Sequence, residues 1–322
     1  MYPYLPTIGP FHLFHLFTLG PFQPGTFGLM LWLAAVVATV VLHRNLTRNG
    51  VDADALNIVA LVVVAGVIGA KTWHELQNLR ELQFSLNIIF RPGWHHPLDV
   101  LVGFLAWFRD GFAWFGGLCA GIVVLMLEGH RARFKGPGWK SYEDPGPRPG
   151  PRVGAIRMLD LASPAAAIGY GVGRIGCLLS GDGDYGINTT LPWGVHMAKN
   201  ALVPPNPPNA LVQPTPIYEL LFSLALCWLL WQLGKQPHAV GWLTGVYLTL
   251  SGVGRFLVEF VRINPRLYFH HTMSNAQVAA GISSLVGLAV LLLAQSRAVP
   301  WSAVAKSHDT KSATAHGAPA SP

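Results

Sequence analysis

Charge is what this chain has least of. Only 11% of its 322 residues are Asp, Glu, Lys or Arg, about half the share of an ordinary soluble domain. That scarcity, with a mean hydropathy of +0.39, excludes a soluble enzyme carrying one anchor, because apolar runs of membrane length recur from end to end. Cysteine is scarce too. Cys119, Cys177 and Cys227 lie in apolar segments without paired spacing, which argues against a disulfide framework or a zinc site. No Lys or Arg precedes Arg44, so the charged start of a secretory signal peptide is not expected. No internal repeat is visible, which disfavours the common transporter architectures.

What remains predicts an all-α integral membrane protein with about seven transmembrane helices. The spans are placed at Phe27–His43, Leu56–Trp73, Phe112–Glu128, Met158–Gly181, Ile217–Leu233, Val240–Val261 and Ser274–Gln295. They form a polytopic domain over residues 27–296. Before it comes an aromatic, uncharged interfacial segment, residues 1–26. After it comes a tail, residues 297–322, rich in Ala, Ser and His and expected to be disordered. Arg44 and Arg48, a basic loop at about 129–157, Lys235 and Arg297 mark one face. The positive-inside rule makes that face cytoplasmic, with the N-terminus outside and the C-terminus inside. The opposite face then carries insertions at about 75–110 and 182–214. Asp99–Phe108 in the first reads as an amphipathic stretch lying in the interface. The basic loop is an orientation signal that can touch anionic lipid. It has no aromatic partner set for reading bases, so nucleic acid is not expected as a partner.

The organising stretch is Gly169–Gly186, GYGVGRIGCLLSGDGDYG. Gly171, Gly173 and Gly176 spell a dinucleotide fingerprint, but they follow an Ala-rich helical run, and no carboxylate occurs between Asp184 and Glu219. The strand and the ribose-binding acid are both missing, so that reading is rejected. Arg174 is the feature that matters. A guanidinium at membrane depth costs several kcal/mol unless it meets protein, water or an anion. The glycines around it allow backbone or ligand to come close. An anion site follows, and in a bilayer the abundant anion is a phospholipid headgroup.

A second group of charges sits in GRFLVEFVR: Arg255, Glu259 and Arg262 are spaced four and three apart, as on one helical face. One carboxylate between two arginines leaves positive charge in excess, which favours an anion over a self-satisfied ion-pair cluster. Lys71 closes the second span and adds a fourth candidate cation, unless it is a snorkelling cap. Tyr218 and Glu219 follow Pro214–Pro216; Glu219 can pair with an arginine or serve as a plain helix N-terminal acid. Asp182 and Asp184 suggest calcium, but the twelfth position of such a loop is Trp193, so a turn closing the helix is preferred. The histidine pairs His12 with His15, His95 with His96, and His270 with His271 sit at expected water interfaces. No metal site and no cofactor are assigned.

Taken together these residues resemble the prolipoprotein diacylglyceryl transferase family. GRIGCLLSGDGDYG (Gly173–Gly186) is similar to its Arg-x-Gly-Asn signature, which ends in an acid and a glycine. VQPTPIYE (Val212–Glu219), GRFLVEFVR (Gly254–Arg262), SNAQ (Ser274–Gln277), HPLD (His96–Asp99) and FGGLCAG (Phe115–Gly121) resemble further family stretches in the same order. Three positions depart from the pattern. Phe115 stands where the family carries a His-Gly-Gly histidine, Cys177 replaces the signature asparagine, and Phe27 replaces a tyrosine.

The resemblance implies transfer of a diacylglyceryl group from phosphatidylglycerol to the lipobox cysteine thiol of a prolipoprotein signal peptide. The reaction would run in a bacterial inner membrane, at a site toward the outer leaflet. Arg174 and Arg255 would stabilise the phosphate leaving group, with Glu259 orienting them. Arg262 would be an entrance contact. Lys71, Gly116, Gly117, Cys177, Asp182, Gly186, Tyr218 and Glu219 would line the substrate site. With Phe115 at the histidine position the base is unassigned; His74, His196 and Asp182 are the candidates, and the cationic field alone is another. Two rival readings are a homologue that binds lipid or lipoprotein without transferring anything, and a small-anion transporter.

Overall fold

The computed structural model describes residues 4, 11–13, 17–19, 25–90, 100–101, 103–104, 107, 114–136, 150–197, 201, 203–207, 209–268 and 270–296. Most of the 1–26 segment, half of Asp99–Phe108, parts of the basic loop including Lys140 and Arg148, and the tail lie outside them. The described residues are mainly helical. Helices α1 (Thr26–Arg48), α2 (Ala55–Gln77), α3 (Leu79–Phe90), α4 (Trp114–Arg131), α5 (Ala155–Ser180), α6 (Thr215–Leu233), α7 (Trp242–Val258) and α8 (Asn275–Ser296) run in that order. All but α3 coincide with stretches expected to be helical. Four of them, α1, α2, α6 and α8, are long and apolar enough to cross a membrane. The chain is thus an all-α membrane protein by its described helices. Helix α3 is an addition: in the 75–110 insertion a helix not expected from sequence forms at Leu79–Phe90, upstream of Asp99–Phe108, whose described residues 100–101, 103–104 and 107 are helical.

The chain divides into two compact units, one of Leu46–Leu159 and one of Met1–Asn45 with Asp160–Pro322. In the first, the Asp54 carboxylate caps α2 by accepting from Leu56 N at 2.9 Å and Asn57 N at 3.4 Å. Helices α2 and α4 then touch at backbone distance. A Cβ on Gly69 would stand 2.5 Å from Gly116 O, and one on Gly117 would stand 3.0 Å from Gly66 O. Small residues facing each other are how helices approach closely where no hydrophobic effect drives them together. Two short strands, Val51–Asp52 before α2 and Arg133–Phe134 after α4, pair antiparallel.

In the second unit α5 packs against α1 and α6. Ala34, Ile168 and Val172 form one buried cluster, and Ala167, Leu226, Leu230 and Leu243 another. The glycines around Arg174 are spent on this packing: a Cβ on Gly171 would stand 2.8 Å from Ser223 Cβ, and one on Gly176 would stand 3.1 Å from Phe27 Cδ2. The buried Asp160 carboxylate accepts from Gly241 N at 2.6 Å, Thr244 N at 2.8 Å and Thr244 Oγ1 at 2.6 Å. It thereby satisfies donors at the start of α7, where a negative charge is favourable.

Helices α7 and α8 cross through Gly245, Gly252 and Gly287, and a Cβ on Gly252 would lie 2.7 Å from Ala280 O. A Gly252→Val protein is therefore expected to lose about 1–3 kcal/mol of stability, read as a lower thermal unfolding midpoint in micelles. An unchanged midpoint would mean that the crossing has slack the distances do not show.

Candidate active site

At one end of α5, α6 and α7 the charged residues converge. Helix α5 ends at Ser180, and the chain turns back through Gly181 (φ 62°) and Gly183 (φ 92°). These backbone conformations favour glycine. The turn returns Asp184 to Arg174, whose Nη1 it pairs through Oδ2. Its other oxygen, Oδ1, pairs with Arg262 Nη2. Thr215 Oγ1 fixes the turn by donating to Asp184 O at 2.6 Å. Gly186 lets three segments meet: its N donates to Gln213 O at 2.8 Å, and a Cβ there would stand 2.5 Å from Val261 O.

Glu219, in the first turns of α6, is the centre of the network. It takes Arg174 Nη2 at 3.0 Å and the Tyr170 hydroxyl at 2.6 Å on Oε1. Arg174 Nε lies 2.8 Å from its Oε2, Arg262 Nη1 3.6 Å from Oε2, and Arg255 Nη1 3.7 Å from Oε1. Arg174 Nε also donates to Tyr170 OH at 3.2 Å, and Arg174 Nη1 to Cys177 Sγ at 3.4 Å. Glu259 holds Arg255 Nη1 at 2.6 Å and lies 3.6 Å from Arg262 Nε. It accepts in turn from Asn264 Nδ2 and Ser274 Oγ, both at 2.7 Å. Gln277 caps the next helix by accepting from Ser274 N at 3.0 Å, which fixes that serine.

Two expectations are corrected by this geometry. Arg255, Glu259 and Arg262 do not share one helical face. Helix α7 stops at Val258, Glu259–Val261 tighten into a 3-10 turn, and Arg262 is extended (φ −85°, ψ 157°). The helical spacing survives only for Arg255 with Glu259. Nor is there a surplus of positive charge: Arg174, Arg255 and Arg262 share Asp184, Glu219 and Glu259. The reason is that Asp184 folds back and Glu219 inserts, neither of which residue spacing reveals.

The balance is uneven in detail. Arg174 engages all three of its guanidinium nitrogens. Arg262, read from sequence as an entrance contact, is buried, its side chain only 4% exposed. Arg255 is different. Its side chain is 23% exposed, and its ion pairs use Nη1 alone, so among the described residues Nε and Nη2 have no partner. Nε and Nη1 of Arg262 are buried without a hydrogen bond there too. The arrangement can hold an anion, with Arg255 presenting donors from a fixed base.

The other predicted residues are placed as follows. The ligating atoms of Cys177, Asp182 and Asp184 fall within 4.8 Å of one another, but Arg174 contacts both Cys177 and Asp184, putting a cation where a metal would sit. Burial, then the neighbouring Asp184 charge, raises the Asp182 pKa above the usual carboxylate value. Burial also raises that of Asp184, but Arg174 and Arg262 outweigh it and the net direction is down. Tyr218 accepts from Trp193 Nε1 at 2.8 Å. His196 is exposed, on the strand Val195–His196 that pairs with Leu211–Val212, and its Nδ1 lies 2.8 Å from Asn209 O. Lys71, His74, Gly116 and Gly117 belong to the other unit. There Lys71 pairs with Glu75 at 2.8 Å and donates to Trp107 O at 2.7 Å, while His74 Nδ1 is 3.5 Å from Asn78 Nδ2. Gly116 and Gly117 make the α2–α4 crossing. The side chain of Phe115 lies outside the described residues.

Residues the sequence reading passed over are Tyr170, Asn264 and Asp184 as an ion-pair partner. Tyr170 precedes Arg174 by one helical turn, a signal that was available.

The sequence matches the family model of prolipoprotein diacylglyceryl transferase over residues 15–293. The chain belongs to that family. It is similar to the phosphatidylglycerol–prolipoprotein diacylglyceryl transferase 2 of Clostridium perfringens, with 27% identity over 75% of this chain and 80% of that protein. The phosphatidylglycerol–prolipoprotein diacylglyceryl transferase of Clostridium tetani is 28% identical over 79% of this chain and 86% of its own length. The Leifsonia xyli protein of that name is 28% identical over 86% and 76%. All the residues of the ion-pair network fall inside the matched range.

Proposed function

We propose that this protein is a phosphatidylglycerol–prolipoprotein diacylglyceryl transferase. It moves a diacylglyceryl group onto the lipobox cysteine thiol of a prolipoprotein signal peptide. The observation that carries the reading is the family match over residues 15–293. The geometry supplies a mechanism. The thiol sulfur bonds to the glyceryl carbon as that carbon's bond to the phosphate oxygen breaks, so glycerol phosphate leaves with the electron pair. Charge grows on the leaving phosphate, and donors that bind it more tightly as it grows lower the barrier. Arg255 is that donor through its unpaired edge. Arg174, Arg262, Glu219, Glu259 and Asp184 hold it and set the field.

The thiol proton must go to a base, because the thiolate is the nucleophile. Of the two candidates in the same unit as the network, Asp182 adjoins it, accepting from Asp184 N at 3.3 Å, and its raised pKa suits proton acceptance. Activity that needs ionised Asp182 falls as the pH drops through its raised pKa. Asp182→Asn is expected to lower kcat/KM by about 10²–10⁴-fold and to abolish the acid limb of the pH profile. A variant keeping that limb would return the role to His74, His196 or the cationic field.

In this reading seven helices span a bacterial inner membrane, the N-terminus is outside, and the network opens toward the outer leaflet. The basic ends support it. Arg48 lies in the last turn of α1 and Lys235 follows α6, at the far ends of those helices from the network. The test is reconstitution with phosphatidylglycerol and a lipobox peptide, read by mass spectrometry. A peptide gaining one diacylglyceryl group on its cysteine supports the proposal. Binding of labelled phosphatidylglycerol with no adduct would instead mark a lipid-binding homologue.

A further inference from the structure

A second feature runs from the middle of the helices toward the end opposite the network. Val41 of α1, Ile168 of α5, and Leu224, Cys227 and Trp228 of α6 line an apolar groove of about 260 Å³. Its rim faces outward: Leu224 is 43% exposed and Trp228 64%. One turn beyond them Arg44 and Trp231 line the same groove. Arg44 is exposed, and among the described residues no carboxylate pairs with it. Trp231 follows Glu219 by twelve residues on α6, about 18 Å along the helix axis. The charged end of the groove is therefore remote from the arginine–carboxylate network, whereas its apolar end reaches Leu224, five residues beyond Glu219 and about 7.5 Å along the axis.

We propose that this groove binds an anionic phospholipid, with an acyl chain along the apolar walls and the headgroup phosphate on Arg44. Both α1 and α6 are long and apolar enough to cross a membrane, so hydrocarbon and not water covers the walls. An exposed, unpaired guanidinium beside an indole at the end of such a groove is placed as interfacial cations and tryptophans are, at headgroup level. A zwitterionic headgroup carries its own cation to offset the phosphate, so the site distinguishes the two lipid classes by charge. This lipid lies in the leaflet opposite the network and is not the transferred substrate.

The test uses the full chain in vesicles containing either phosphatidylglycerol or phosphatidylcholine with a photoactivatable diazirine in one acyl chain. After irradiation, labelled peptides are mapped by mass spectrometry. Phosphatidylglycerol should label the segments 37–44 and 224–231 about fivefold more than phosphatidylcholine, the equivalent of about 1 kcal/mol per basic side chain near anionic lipid. Arg44→Gln should remove that preference and Arg44→Lys should keep it. Cys227→Phe should reduce labelling of these segments by both lipids without reducing it elsewhere. Equal labelling of the wild type by both lipids, or a preference surviving Arg44→Gln, would overturn the proposal. Formation of the diacylglyceryl adduct is read separately, so either idea can fail alone.

Discussion

Arg255→Ala is expected to transfer diacylglyceryl about 10²–10³-fold more slowly than the wild type while remaining folded. The size is that of removing one preorganised donor from a charge that develops in the transition state. The fold should tolerate it, because the carboxylates that Arg255 contacts keep other partners. Glu259 retains Asn264, Ser274 and Arg262, and Glu219 retains Arg174 and Tyr170. Arg255→Lys should recover only part of the rate, since an ammonium on Glu259 cannot also offer a second, fixed edge to phosphate. Steady-state kinetics with a labelled lipobox peptide, beside a thermal unfolding curve, separates the two readouts. A variant with wild-type kcat/KM would remove Arg255 from the chemistry.

Glu219→Ala is expected to be a stability defect first. Its carboxylate is 3% exposed and faces Arg174 at 2.8 Å, Arg262 at 3.6 Å and the Tyr170 hydroxyl at 2.6 Å. Removing it leaves the buried Arg174 with Asp184 as its remaining acid and Arg262 with Asp184 and, at 3.6 Å, Glu259. Breaking a buried pair from one side costs about 3–5 kcal/mol. Glu219→Gln keeps oxygen and volume but not charge, and should fall between. The measurement is the unfolding midpoint of each variant in the same micelles. If all three midpoints coincide, the network is not structural, and Glu219 is then free to act on substrate directly.

The helices were legible because each apolar run is long and each ends in polar residues. Their bounds shifted where charged residues continue a helix, as at Arg44–Arg48 in α1. Helix α3 was missed because LRELQFSLNIIF is too short and polar to read as a span. Within the site, Arg255 with Glu259 was readable from four-residue spacing alone. Arg262 was placed on the same face by extending that periodicity through a helix that in fact stops at Val258. Asp184 needed the turn at Gly181 and Gly183 before its partners could be named. Glu219 needed α6 to dock against α5, with Gly171 facing Ser223, which no local pattern encodes. Sequence thus located the ionisable groups but not how their charges cancel.

The central claim is that a phosphate ester settles on the open edge of Arg255 while the other arginines stay paired. A cryo-EM structure of the protein in phosphatidylglycerol nanodiscs tests it directly. The account predicts phosphate density within about 3 Å of Arg255 Nε or Nη2, with Arg174 and Arg262 still on Asp184 and Glu219. Density that pulls Arg174 or Arg262 off their carboxylates, or a headgroup lying away from Arg255, would contradict it.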